Sequence, residues 1–294
     1  MDIKFVFWGT PDIAVASLEA LETHGLLPRL IVTAPDRKVG RGLELTPTDV
    51  KVWANERNIP VLSPEKLSDH TFMEALSPTS YSISEWDVFV VVAYGKILPH
   101  TILSLPRLGT INMHPSLLPR HRGPAPVESQ ILFEGTKDGV GISIILLDKE
   151  MDHGPILAHA SVGGALLSWP IGAVELRALL GEAGGTLLST TLPEFVQGNI
   201  TPIPQDHTQA TFCKKIEKEA GLITLTDDPF TNFKKICAYE IWPRAYFFAE
   251  KHGKQIRVVI TKASYENNIL TIESVIPEGR KEMTWDEFQR YLVS

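Results

Sequence analysis

Apolar and polar positions fall into two textures along the 294-residue chain. In the first, β-rich apolar runs alternate with segments of helical spacing. IKFVFWG ends at Gly9, DIAVASLEALETHG then carries apolar residues at helical spacing to Gly25, and PRLIVTA resumes as a strand. WDVFVVVAYG is apolar on both faces, as a strand must be in the middle of a parallel sheet covered by helices. The alternation continues through GTINMHPS, EGTKDGVGISIILLDKEMDHG and the long helical pattern AVELRALLGEAGGTLLSTTLPEFVQG. It predicts a doubly wound α/β domain with a mostly parallel sheet over residues 1–200.

After Pro202 the texture changes. PIPQDHTQATFCKKIEKEAGLITL reads as a linker, placed at 201–209, followed by a short polar segment. DPFTNFKKICAYEIWP is one amphipathic helix stopped by Pro243, and AYFFAE, KQIRVVITKASY and NILTIESVI alternate as strands joined by Gly- or Asn-containing turns. A small OB-like β-barrel over 210–294 is the economical reading, because short antiparallel strands must deal with their edges.

Composition fits a globular protein, with 44% hydrophobic and 21% charged residues. No apolar run reaches the length of a membrane span, and the start MDIKFVFWGTPD has no signal-peptide layout. Only Cys213 and Cys237 are present, without zinc-site spacing, so a cytoplasmic protein with reduced thiols and no metal is expected. The formal net charge of -7 argues against nonspecific nucleic-acid binding. The excess of acid lies before Asp206, however. Between Arg244 and Lys262 the basic residues Arg244, Lys251, Lys254, Arg257 and Lys262 are opposed only by Glu250, a patch that could face an anionic partner or be a solvated strand face.

Three stretches carry candidate chemistry. In INMHPSLLPRHRGPAP, Asn112 and His114 stand two apart where an apolar strand ends, so they project from one face. In open α/β sheets that is where ligands bind. LLDKEMDHGPIL offers Asp148, Asp152 and His153 before a glycine. Such aspartates are turn formers, or one of them meets the imidazole across adjacent strand ends and orients it. APDRKVGRGLELTP presents Arg37, Lys38 and Arg41 on a glycine-flanked loop without P-loop form, which suits a large anionic substrate better than a nucleotide cofactor.

Taken together, FWGTPDIAVASLEAL, PDRKVGRG, VVVAYGKILP, INMHPSLLPRHRGPAP and LDKEMDHGPIL occur in an order that resembles the methionyl-tRNA formyltransferase family, with fainter matches in ATFCKKIEKEAGLI, WPRAYF and EGRKEM. The resemblance implies transfer of a formyl group from 10-formyltetrahydrofolate to the free α-amino group of methionyl initiator tRNA, by a monomer. It makes Asn112, His114 and Asp152 the catalytic set. Ser116, Leu117, Leu118 and Pro119 would line the folate site with Val92, Ala93, Tyr94 and Gly95. Arg37, Lys38 and Arg41 would meet the tRNA, and the basic residues Arg244, Lys254 and Arg257 would add to that grip. The chain departs from the family pattern at Leu43 and Glu44, where further lysines commonly follow the GRG, and at His121, which replaces an aromatic residue. The alternative is an N-formyltransferase acting on a nucleotide-linked amino sugar, which has no need of the Arg41 loop.

Overall fold

The computed structural model describes residues 2–39, 43–76 and 86–294. β1 (Phe5–Gly9) leads into α1 (Asp12–Thr23) and β2 (Leu30–Val32). An antiparallel pair, β3 (Arg37–Val39) and β4 (Glu44–Thr46), precedes α2 (Asp49–Glu56), β5 (Val61–Leu62) and α3 (His70–Leu76). Next come β6 (Val88–Val92), α4 (His100–Leu103), β7 (Thr110–His114) and α5 (Pro126–Phe133), then β8 (Gly141–Leu146), β9 (Ile156–Ser161) and the long α6 (Ala173–Val196). The C-terminal part holds α7 (Pro229–Ala238), β10 (Tyr246–Lys251), β11 (Lys254–Glu266), β12 (Ile269–Pro277), β13 (Met283–Thr284) and α8 (Trp285–Val293).

The main sheet has the order β5-β2-β1-β6-β7-β8-β9. Its first five strands are parallel. β8 and β9 depart from the simple alternation expected, because β8 runs antiparallel to β7 and β9 antiparallel to β8. The difference matters for the site. Leu146, at the end of β8, lies opposite Ile111 near the start of β7, so the loop after β8 has to fold back to reach His114.

Each buried strand sends alternate residues to two cores, as a period of two requires. Phe5, Phe7, Val90, Ile111 and Met113 face α1 and α6, whereas Val6, Trp8, Phe89 and Val91 face the opposite side with Tyr94 and Leu98. Val91 is in register with Asn112, so Asn112 emerges on that second side. The chain leaves β1 toward β2 on one flank and returns as β6 on the other. A crevice opens at such a switch point, beyond the carboxyl ends of the strands.

α6 lies close against α1 because glycines occupy the contact. A Cβ at Gly185 would stand 2.5 Å from the Ser17 carbonyl oxygen and 2.6 Å from the Ala20 Cβ, and the Ser17 hydroxyl donates to the Gly181 carbonyl at 3.1 Å.

In the C-terminal part, β10-β11-β12-β13 form an antiparallel sheet in an open order, with Phe247, Val258, Val275 and Phe288 of α8 in its core. The free edge of β10 is partly met by a bridge from Leu222 to Tyr246. α8 begins with a capping box in which Thr284 and Glu287 each satisfy the other's backbone N–H. α7 packs away from this sheet as well as on it: Cys237, Ala238 and Tyr239 belong to the main core, and the Lys234 ammonium donates to the Leu132 carbonyl at 2.6 Å.

On an open helical face Gly→Ala would stabilise by about 1 kcal/mol. Gly185→Ala is expected to do the reverse here and lower the urea midpoint, since the added methyl meets backbone. A raised midpoint would contradict the close α1–α6 contact.

Candidate active site

β7 carries Asn112 and His114 on the same face, and the histidine is almost fully buried. Its Nε2 donates to the His121 carbonyl at 3.0 Å, which fixes the neutral ring as the Nε2–H tautomer. Nδ1 is thereby the only ring nitrogen left for exchange. It faces Asp152 Oδ1 at 3.5 Å, longer than an ordinary hydrogen bond.

Asp152 reaches this position from the β8–β9 loop with its backbone in the left-handed region, at φ 52°. Its other carboxylate oxygen accepts the Gly123 N–H at 2.8 Å. Of the acidic residues in LLDKEMDHG, Asp152 is the one brought to His114. Asp148 instead accepts from His153 Nδ1 at 2.7 Å, and the His153 ring stacks flat on His207 with centroids 4.0 Å apart.

The stretch Ser116–Pro119 is not among the residues lining the cleft that contains Asn112 and His114. Ser116 is buried and donates to the Arg120 carbonyl at 2.7 Å, the Leu118 N–H donates to Ser143 Oγ at 2.9 Å, and Leu117 packs on Gly141. Polar atoms of this turn bond partly within the turn and partly to Ser143 of β8. Arg120 pairs with Glu134 at 2.7 Å. His121 is buried between the Ser129 hydroxyl at 2.8 Å and Glu134 at 2.7 Å. Burial pulls the His121 pKa below the ordinary histidine value, outweighing the opposing pull of Glu134, so the ring is neutral.

Residues 203–213, which include most of the segment read as a linker, run back along the loops that carry Arg122 and Asp152. Ile203 bridges Ile156 and Phe212 bridges Arg122. Gln205, 5% exposed, donates to the carbonyls of Asp152 at 2.9 Å and Gly154 at 2.7 Å. It accepts from buried Arg122 through Nε at 3.2 Å and Nη2 at 2.6 Å. Thr211 Oγ1 accepts the His121 N–H at 2.9 Å. Gly123 has φ 121°, and a Cβ there would collide with the Cys213 carbonyl, so the strap and the loop touch backbone to backbone. Burial lowers the Arg122 pKa, while the nearby carboxylates Asp152, Asp148 and Glu150 oppose the shift.

A cleft of about 740 Å³ opens over Asn112, His114 and Asp152. One wall is Val91 with Ala93–Pro99, and Leu103 and Leu147 add apolar surface. Ala93, Tyr94 and Gly95 are thus cleft residues. Val92 is not, since it points into the core on the other side of the sheet. Among the described residues the Tyr94 hydroxyl has no partner; it is buried in the core behind this wall, and burial raises its pKa to about 12. The largely apolar lining suits a flat heteroaromatic ligand. Glu128 and Arg177, which sequence reasoning passed over, also line the cleft, at 3.5 Å from one another. Among the described residues no cluster of three or more His, Cys, Asp or Glu is placed to hold a metal ion.

Residues 1–163 match the Formyl transferase family. The chain is 43% identical over 257 residues to the methionyl-tRNA formyltransferase of Chloroflexus aurantiacus, covering 87% of this chain and 79% of that one. The chain belongs to the methionyl-tRNA formyltransferase family. The namesake from Desulfotalea psychrophila is 35% identical across 97% of this chain and 92% of its own, so the similarity extends through the C-terminal sheet. A solved methionyl-tRNA formyltransferase from Clostridium thermocellum shares the fold, with a TM-score of 0.61 at 16% identity over 94% of this chain and 99% of the other.

The basic residues expected to meet tRNA in this formyltransferase are dispersed. Arg37 and Lys38 are exposed on β3, and Arg41 lies outside the described residues. Lys254 is exposed at the start of β11, but Arg257 stands three positions on, where strand alternation turns it to the other face; its guanidinium lies 3.9 Å over the Tyr246 ring. Arg244 is half-buried with φ 67°. Among the described residues no helix is long and apolar enough to cross a membrane.

Because His121 is held neutral in the fold, the unfolded chain takes up a proton below about pH 6.5 that the native chain does not. Native stability relative to a His121→Phe variant is therefore expected to fall as pH is lowered from 7.5 to 5.5. Paired urea titrations at the two pH values check this, and a constant gap would contradict a neutral His121.

Proposed function

We propose that the cleft brings a formylated tetrahydrofolate against methionyl initiator tRNA, so that the formyl group passes to the tRNA's α-amino nitrogen. The observation that carries this reading is the convergence of Asn112, His114 and Asp152 at the cleft, in a chain of the methionyl-tRNA formyltransferase family. The donor is 10-formyltetrahydrofolate, with its ring system along Ala93–Leu98.

The reaction needs a neutral amine to attack the formyl carbon while negative charge gathers on the formyl oxygen. The side chain of Asn112 donates to that oxygen, and His114, when protonated, donates through Nδ1. Preorganised donors of this kind stabilise the developing charge without reorganising at the moment of reaction. Asp152 stands on the open side of Nδ1 and receives the proton that the attacking nitrogen gives up, directly or through water. The departing folate nitrogen takes a proton in turn, which leaves the site balanced for another cycle.

The tRNA acceptor end reaches the cleft where Asn112, His114 and Asp152 line it. Arg37, Lys38 and Arg41, with Lys254, Arg257 and Arg244 from the C-terminal part, supply cationic contacts along its backbone. The setting is the cytoplasm, where aminoacyl-tRNA is made and used, and the chain acts as a monomer.

Asn112→Ala and His114→Ala are each expected to slow formyl transfer about 100- to 1000-fold with folate affinity little changed. The assay compares methionyl initiator tRNA, methionyl elongator tRNA and a nucleotide-linked amino sugar as acceptors. Near-normal turnover in either variant would remove the catalytic assignment. Preference for the sugar would keep the chemistry and overturn the substrate.

A further inference from the structure

We infer that Gln205, together with Arg122, is a positioning residue for the reaction: it holds the Asp152 loop in the conformation that brings the carboxylate to His114. This rests on the reading of Asp152 as part of the catalytic set. Gln205 lies in the segment that joins the two parts of the chain, outside the three stretches that carry candidate chemistry.

A glutamine side chain offers two N–H donors and two acceptor lone pairs. All four are used here. The donors go to the carbonyls of Asp152 and Gly154, and the acceptor oxygen takes both Nε–H and Nη2–H of Arg122. Asp152 has a positive φ, a conformation that persists in a non-glycine residue only where its surroundings over-determine it. Gln205 supplies that restraint from the backbone side, and the Gly123 N–H supplies it from the carboxylate side. Arg122 ties the two together. Its backbone N–H donates to the Thr211 carbonyl at 2.9 Å and its Nη2 approaches His207 Nδ1 at 2.9 Å, while the next residue is the Gly123 that binds Asp152. Its neighbour His121 carries the carbonyl on which His114 Nε2 rests. Both partners of the His114–Asp152 pair are thus referenced to one strap of chain. No other neutral side chain of this length supplies two donors and a bifurcated acceptor at once, and the carboxylate isostere would set a negative charge against two carbonyl oxygens.

The test is a double-mutant cycle in the full-length protein, read as single-turnover formyl transfer from 10-formyltetrahydrofolate to methionyl initiator tRNA. Gln205→Met keeps the length of the side chain and removes its hydrogen bonds. Gln205→Glu keeps the acceptor for Arg122 and removes both donors. Each is expected to slow the chemical step by roughly 100-fold, the scale of a small misplacement of a reacting group, with the KM for the folate within about 3-fold of normal. In an Asp152→Asn background, Gln205→Met should slow the reaction by no more than about 2-fold further, because residues acting through one another are not additive. A merely structural role would lower the melting temperature and the fraction of folate-binding sites while leaving the two losses multiplicative. Multiplicative losses, or a normal rate in Gln205→Glu while Asp152→Asn is slow, would overturn the inference. A normal rate in Asp152→Asn would overturn the assignment of Asp152 itself, and with it any role for Gln205 through that residue.

Discussion

One hydrogen bond underlies the proposed chemistry: the donation from His114 Nε2 to the His121 carbonyl. With that nitrogen engaged, the imidazole has a fixed tautomer and a fixed plane, and only Nδ1 can exchange a proton with Asp152 or a ligand. The acceptor is a backbone carbonyl on a loop, so its position depends on whatever holds the loop. The Thr211 hydroxyl bonded to the His121 N–H and the Ser129–His121–Glu134 contacts hold it from two sides. A strand supplies the histidine, and a distant strap supplies the geometry in which it works.

The same region concentrates buried polar groups at a density that would be costly if any were left unsatisfied. Arg120, His121 and Glu134 form one satisfied cluster, and Arg122, Gln205 and His207 form another on the opposite side of the loop. Between them the Asn112–His114 face is left open, because the antiparallel β8 returns its loop over the sheet and leaves a cleft beneath it. The apolar wall from Val91 to Leu98 completes that cleft. Rigid polar framing beside an apolar slot is what a reaction between a flat donor and a charged macromolecular acceptor requires.

Much of this was legible in the sequence, for local reasons. VFVVV reads as a central strand because both of its faces are apolar, and Asn112 and His114 read as partners because alternate residues of a strand share a face. α6 was legible in its long helical period. The orientation of β8 was not, because an apolar run looks the same in either direction. Asp152 could not be separated from Asp148 by spacing alone, since turn residues acquire their roles from where the loop folds. Ser116–Pro119 carry the family motif yet are not among the residues lining the cleft. Gln205 left no signal at all: a buried glutamine in a proline-flanked polar stretch is identical in sequence to an exposed one. α8 had a usable signature, the Thr284–Glu287 capping-box spacing ahead of an apolar pattern.

The claim on which the account turns is the tautomer of His114. ¹⁵N NMR of histidine-labelled protein, at a pH where the ring is neutral and with a His114→Gln variant to assign the signal, measures it directly. The structure predicts a protonated Nε2 and an imine-like Nδ1. An Nδ1–H tautomer would contradict the account, because His114 would then have no proton to place on the His121 carbonyl and the ring would be held by something else.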